Sequence, residues 1–382
     1  MIIHSSHVWY QGRFQSVSVR MENGLITEIG CAGKPDIDYG NLRILPGFID
    51  IHCHGAYGFD TDSADPDGLR NWARNIVSEG VTGFLATTIT EKKSVLLSAV
   101  KNAAEVIKTQ VPGKDGAEIL GIHFEGPFLN VRYKGAQPEE AIVRPDISEF
   151  MEYQNAAANN IRIVTLAPEN DEDFRLIRYL DAHGVVASIG HTAASFEQAV
   201  NAVKAGAKSF THTFNAMSPF SHRENGTVGA ALRLHDVYSE IICDCRHSTC
   251  DAVNIFYTCK DMDHAVMVSD ALMCKGYEPG TRFIFGGQPV EIYPDGTAHL
   301  TDAENHPLAG STLKINEGLR RAVETAEVPF EKAIRSCTVN PARLLGMDDR
   351  IGLIETGHDA DIAVLNDDYS VHQVYCKGIP QL

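Results

Sequence analysis

The chain has 382 residues, 44% of them hydrophobic, and a formal net charge of −17; that length exceeds the usual limit for one hydrophobic core and predicts one large domain with a smaller companion. The acidic balance argues against nucleic acid and anionic membrane as partners, no apolar run is long enough to span a bilayer, and Met1-Ile2-Ile3-His4 lacks the basic start of a signal peptide, so a cytoplasmic location is expected. Nine cysteines, an odd number scattered over a chain too large to need staples, are expected to be reduced thiols.

Residues 1–43 carry short β-rich runs, Val17–Arg20 and Leu25–Ile29, with turn residues between them. From residue 44 to about 272, β-rich runs alternate with segments of helical period, the pattern of a parallel sheet with crossover helices. The predicted strands are Phe48–His54, Thr82–Thr88, Ile119–Glu125, Ile161–Ala167, Val185–His191, Ser209–Asn215, Glu240–Cys245 and Ala265–Asp270. Among the intervening helices, Ser195–Gly206 places Phe196, Ala199, Val200 and Val203 on one face, and Gly206 stops it. Eight such units make an α/β TIM (β/α)8 barrel, whose chemistry sits at the C-terminal ends of its strands. A β-like insertion over about 276–308 is expected to cover the barrel mouth, and helical pattern returns over 312–346. Short strands resume in Ala360–Leu365 and Gln373–Cys376. The two chain ends, 1–43 and 350–382, are therefore expected to build one small β-sandwich beside a barrel of residues 44–349.

Polar residues gather at the predicted strand ends. His52 and His54 end the first strand; alternate residues of a strand share a face, so both imidazoles can converge on one metal while Cys53 points away. His-x-His alone is a weak signal in a chain with 16 histidines. Glu125 ends the third strand, His191 the fifth and Asp270 the eighth, while His212 lies late in the sixth. Four histidines and two carboxylates that follow apolar runs do not suit core filler, because buried ionisable groups need partners. A metal site is predicted. Cys243, Cys245 and Cys250 surround His247, but C-x-C-x-H-x-x-C is not a common structural-zinc spacing and no second cluster completes it.

Pro46-Gly47-Phe48-Ile49-Asp50-Ile51-His52-Cys53-His54-Gly55, His123-Phe124-Glu125-Gly126-Pro127-Phe128, Gly190-His191-Thr192, Thr211-His212-Thr213-Phe214-Asn215-Ala216-Met217, Ser269-Asp270-Ala271 and Leu308-Ala309-Gly310-Ser311-Thr312-Leu313 resemble the N-acetylglucosamine-6-phosphate deacetylase family of the amidohydrolase superfamily, nearly end to end. The resemblance implies hydrolysis of the acetamido group of a small amino-sugar phosphate, N-acetylglucosamine 6-phosphate, to glucosamine 6-phosphate and acetate. Its C4 epimer, N-acetylgalactosamine 6-phosphate, is not distinguished by sequence. A non-catalytic scaffold is the alternative of another class, and retention of all six metal-site candidates argues against it.

The resemblance further implies that Glu125, His191 and His212 hold one divalent ion, and that His52 and His54, with Glu125 bridging and Asp270 nearby, hold a second. Zn, Fe, Mn or Co would suit such donors according to supply. Many amidohydrolases bridge their metals with a lysine from strand four; here that strand ends Thr165-Leu166-Ala167-Pro168-Glu169, so Glu125 is the better bridge. Asp270 is implied as the catalytic group that takes a proton from water and returns it to the departing amine. Implied substrate contacts are Gln137, Asn215, Ala216, Arg223, His247 and Ala309, with Arg223 suited to phosphate by its planar fork. Asp244 and His123 are left as supporting or core groups. Two departures stand out: Cys243-Asp244-Cys245-Arg246 replaces the usual Ala-Asp-Gly and apolar residue before His247, and Gln137 stands where some members have histidine. A homodimer is also implied.

Overall fold

Eight parallel strands form the centre of the computed structural model, which describes residues 1–382. They are β1 (Phe48–Cys53), β2 (Val81–Thr88), β3 (Glu118–Glu125), β4 (Ile161–Leu166), β5 (Val186–Ile189), β6 (Ser209–Phe210), β7 (Tyr238–Ile242) and β8 (Ala265–Val268), each hydrogen-bonded to the next. Between β8 and β1 the barrel is closed by the Asp270 N–H, which donates to His52 O at 2.8 Å, and by a parallel bridge between Cys53 and Ala271. Below these, Ser269 Oγ donates to Asp50 Oδ2 at 2.5 Å. The seam thus runs through two of the predicted site residues.

Helices wrap the outside because their apolar faces are matched to the strands. Helix Phe196–Ala205 shows the local logic: Ser195 and Gln198 form a reciprocal capping box, Ala199, Ala202 and Ala205 are buried, and Gly206, with φ of 123°, ends it. The largest apolar cluster, 63 buried residues, lies between strands and helices. A second cluster draws Ile49, Ile51, Leu85, Leu120, Ile163, Val186, Ile242, Val266 and Val268 from seven different strands, so the interior below the mouth is packed rather than open.

β5, β6, β7 and β8 end earlier than the sequence predicts. His191, His212, Cys245 and Asp270 have φ of 46°, 28°, 55° and 50°, a left-handed backbone that breaks the ladder and costs of order 1–3 kcal/mol per residue. The regular strands stop just before these residues, and the side chains of His191, His212 and Asp270 line the mouth.

Both chain ends build one further sheet. Arg43–Pro46 joins it by pairing in parallel with Ile2–Tyr10 and antiparallel with Ile362–Leu365, so the terminal sheet reaches past residue 43. A register break between Ser5 and Val8 bends the first strand, whose early half pairs with Ile37–Asp38 instead. The curled sheet encloses a core in which Ile3, Val19 and Ile26 meet Ile362, Val364 and Tyr375. Over the barrel mouth, Arg282–Phe285, Gln288–Ile292 and Ala298–Leu300 form an antiparallel sheet, anchored where Gln288 Nε2 donates to Ala136 O at 2.8 Å. No helix is long and apolar enough to cross a membrane.

Candidate active site

Glu125, at the end of β3, is the hub of the mouth. Its Oε1 lies 3.3 Å from His191 Nε2, 3.0 Å from His212 Nε2 and 3.4 Å from His52 Nε2. Its Oε2 lies 3.4 Å from His54 Nε2. Asp270 Oδ1 approaches from β8, 3.2 Å from His54 Nε2 and 3.6 Å from His52 Nε2. All six predicted metal-site residues are therefore brought together, each buried. Among these six, two sets of three have ligand atoms mutually close enough for one ion: His52, His54 and Glu125, and Glu125, His191 and His212.

The electrostatics favour a cation. Burial pulls the His52 imidazolium down, but Glu240, Glu125 and Asp270 outweigh it and leave its pKa raised to about 9. The same contest at His54, against Asp270 and Glu125, ends at about 10. Burial opposes ionisation of Glu125, yet His191 and His52 hold it well below the usual carboxylate range; Asp270, likewise desolvated, is brought down to about 2 by His54 and His52. A field that draws protons onto these rings is equally available to a divalent ion, which displaces them. His52 Nε2 is buried without a hydrogen-bond partner, and a bare imidazole nitrogen among carboxylates suits metal ligation. The donor set fits a divalent metal.

The cavity above Glu125 has a volume of about 210 Å³ and includes Gln137, Asn215, Ala216 and His247 in its lining. His247 is set by Asp244: Asp244 Oδ2 accepts from Nδ1 at 2.6 Å and Oδ1 from the His247 N–H at 2.9 Å. Burial lowers the His247 pKa, but Asp244 more than reverses this and leaves it raised above the ordinary imidazole value. Phe285 of the insertion closes one side, its ring edge-on to His54 at 5.4 Å.

Residues 43–379 match the model of the amidohydrolase family. The chain belongs to that family. It is 41% identical over 335 residues to an N-acetylglucosamine-6-phosphate deacetylase of Bacillus subtilis (strain 168), covering 88% of this chain and 83% of the relative. It is 32% identical over 368 residues to an N-acetylgalactosamine-6-phosphate deacetylase of Escherichia coli O157:H7, covering 96% and 95%. Among solved structures, a mutant N-acetyl-D-glucosamine-6-phosphate deacetylase from Mycobacterium smegmatis in complex with N-acetyl-D-glucosamine-6-phosphate superposes with a TM-score of 0.93 at 28% identity, over 100% of this chain and 99% of the other.

Other predicted residues of this amidohydrolase fall less simply. Gln137 reaches the cavity, but its Nε2 donates to Glu125 Oε2 at 2.6 Å and its Oε1 accepts from the Thr90 N–H at 2.7 Å, so the amide braces the hub. Ala309 packs into the core of the insertion, and its neighbours Leu308 and Gly310 line the cavity in its place. Arg223 lies outside the cavity; it is exposed and lines a separate surface depression with Arg132 and Glu224. Cys245 and Cys250 are disulfide-bonded across a turn with Cα atoms 5.0 Å apart, well within bridging range. That corrects the expectation of nine thiols to seven.

His123 is a core group, with Nδ1 2.9 Å from Ile51 O and Nε2 2.8 Å from Thr165 Oγ1. Burial drives its pKa down to about 4. Sequence reasoning missed Phe285 and Glu240. Glu240, wholly buried on β7, accepts from His52 Nδ1 at 2.8 Å and from the His212 N–H at 3.1 Å. The available signal was a lone carboxylate beside Ile241 and Ile242 in a strand otherwise fit for the barrel interior.

Proposed function

We propose that this amidohydrolase converts N-acetylglucosamine 6-phosphate and water to glucosamine 6-phosphate and acetate, with two divalent ions per chain. The observation that carries the reading is the placement of Glu125 between two histidine pairs with Asp270 alongside, in a chain whose relatives bear that activity in their names. Bound ions supply Lewis acidity toward the acetyl carbonyl and toward water; Zn, Fe, Mn and Co all suit the donors. Glu125 and the four histidines would hold them. Asp270, ionised by its surroundings, takes the proton of the attacking water and delivers it to the departing amine nitrogen as the C–N bond breaks. His247, whose pKa Asp244 raises, receives the phosphate beside Asn215 and Ala216. Arg223, exposed outside the cavity, is the further cation proposed for the phosphate. Phe285 and the insertion shield the reacting carbonyl from bulk water.

A cytoplasmic homodimer completes the proposal; family resemblance supports the dimer, and sedimentation equilibrium at twice the chain mass tests it. The galacto epimer is the second reading, favoured by the Escherichia coli relative. Acetate release from N-acetylglucosamine 6-phosphate, its galacto epimer and unphosphorylated N-acetylglucosamine decides the matter. The gluco phosphate should give the highest kcat/KM. Preference for the epimer supports the second reading, and turnover indifferent to phosphate contradicts both.

A further inference from the structure

The four metal-site histidines differ in what stands behind them. His191 Nδ1 is 2.8 Å from the carbonyl oxygen of Tyr133. The Nδ1 atoms of His54 and His212 are buried without a partner. Only His52 is backed by a carboxylate, Glu240, and both side chains are completely buried. The same oxygen, Glu240 Oε2, also accepts from the main-chain N–H of His212. One carboxylate therefore touches a histidine from each of the two groups that share Glu125. Its other oxygen, Oε1, is buried without a partner. A half-satisfied carboxylate in a barrel interior lined by Ile, Leu and Val is costly to keep, and nothing in fold stability calls for it.

We propose that Glu240 is a positioning residue that prepares His52 to ligate the second ion and ties the His52 ring to the main chain at His212. By accepting the Nδ1 proton, Glu240 fixes the tautomer in which Nε2 carries the lone pair, and that nitrogen faces Glu125 Oε1 and Asp270 Oδ1. The negative charge behind the ring raises its basicity toward a cation. His123, although packed against His52 with ring centroids 4.5 Å apart, does not share this task, since both its nitrogens face other acceptors or hydroxyls. The grouping of His52, His123 and Glu240 is accordingly a support for one ligand rather than a third ion site.

The inference rests on the two-ion reading, and the test separates the two. Metal-stripped wild type, Glu240→Gln and Glu240→Leu are titrated with Co²⁺ by calorimetry, and the His52 tautomer is read by nitrogen-15 NMR of the Zn-loaded protein. Wild type should take up two equivalents, with His52 protonated at Nδ1. Glu240→Leu should weaken the second equivalent by about 10- to 100-fold, the usual range for loss of such a partner, and leave the first within a few-fold. Glu240→Gln, whose single carbonyl oxygen can still accept both N–H groups, should keep the tautomer and recover part of that loss. If the Leu variant does not fold, the Gln variant carries the test, since loss of charge alone should weaken the second ion measurably. Two equivalents bound with unchanged affinity in the variants overturn this inference alone. A wild type that takes up only one equivalent overturns the two-ion reading and this inference with it.

Discussion

In the proposed reaction, Asp270 carries the proton and His247 holds the phosphate. Asp270 sits on left-handed backbone, φ 50°, next to the barrel seam, and its depressed pKa keeps it in the form that accepts a proton. Asp270→Asn preserves the shape and removes that capacity, so turnover should fall by about 10²- to 10⁴-fold with substrate binding retained. Rates within tenfold of wild type, at equal metal content, would remove Asp270 from the proton path. At His247 the sign works the other way. Its folded pKa is raised by Asp244, so the phosphate-binding cation is present at low pH and is lost as pH rises through that value. kcat/KM for the phosphorylated substrate should decline on the alkaline side, and Asp244→Asn should shift the decline to lower pH. An unmoved limb would show that another group binds phosphate.

At this scale the sequence disclosed the groups that end apolar runs and little else. His52, His54, Glu125, His191 and Asp270 were legible because a strand that stops at a polar residue must aim it at the mouth. Glu240 was not, because period-two alternation reads a single glutamate in Tyr238–Ile242 as solvent-facing, and only barrel closure turns that face inward. Arg223 came from the resemblance rather than from a strand end; its turn is exposed, and residue type says nothing of the direction a surface loop takes.

Elements outside the strands hold the mouth in place. Lys275, just after β8, reaches Glu79 in the turn before β2 with Nζ 2.9 Å from Oε2, both side chains fully buried, and Tyr57 Oη donates to the other Glu79 oxygen at 2.7 Å. This pair pins the segment leading to the insertion against the first β-α unit. Lys275→Met leaves a buried carboxylate uncompensated and should cost about 3–5 kcal/mol; adding Glu79→Leu should return much of it. Denaturant unfolding measures both, and a single variant within about 1 kcal/mol of wild type would mean that water reaches the pair. The insertion was legible as β structure near residue 276, since its runs alternate between turn signals. Its docking through Gln288 onto Ala136, and of Phe285 onto His54, was not, because neither contact is local in sequence.

For the whole molecule, alternation of β-rich and helical segments identified the barrel, and the strand-rich flanks identified the terminal sheet. The pairing of Arg43–Pro46 with Ile362–Leu365 joins residues near opposite ends of the chain, which periodicity cannot report. A net charge of −17 also repels an anionic substrate at long range, so the proposed selectivity for phosphate has to rest on local cations such as His247 rather than on steering. Glu125 is proposed to bridge two ions. Elemental analysis of reconstituted wild type beside the His52→Ala, His54→Ala double variant tests this most directly: two equivalents should fall to one, whereas a wild type with one equivalent, unchanged in the double variant, would contradict the bridge.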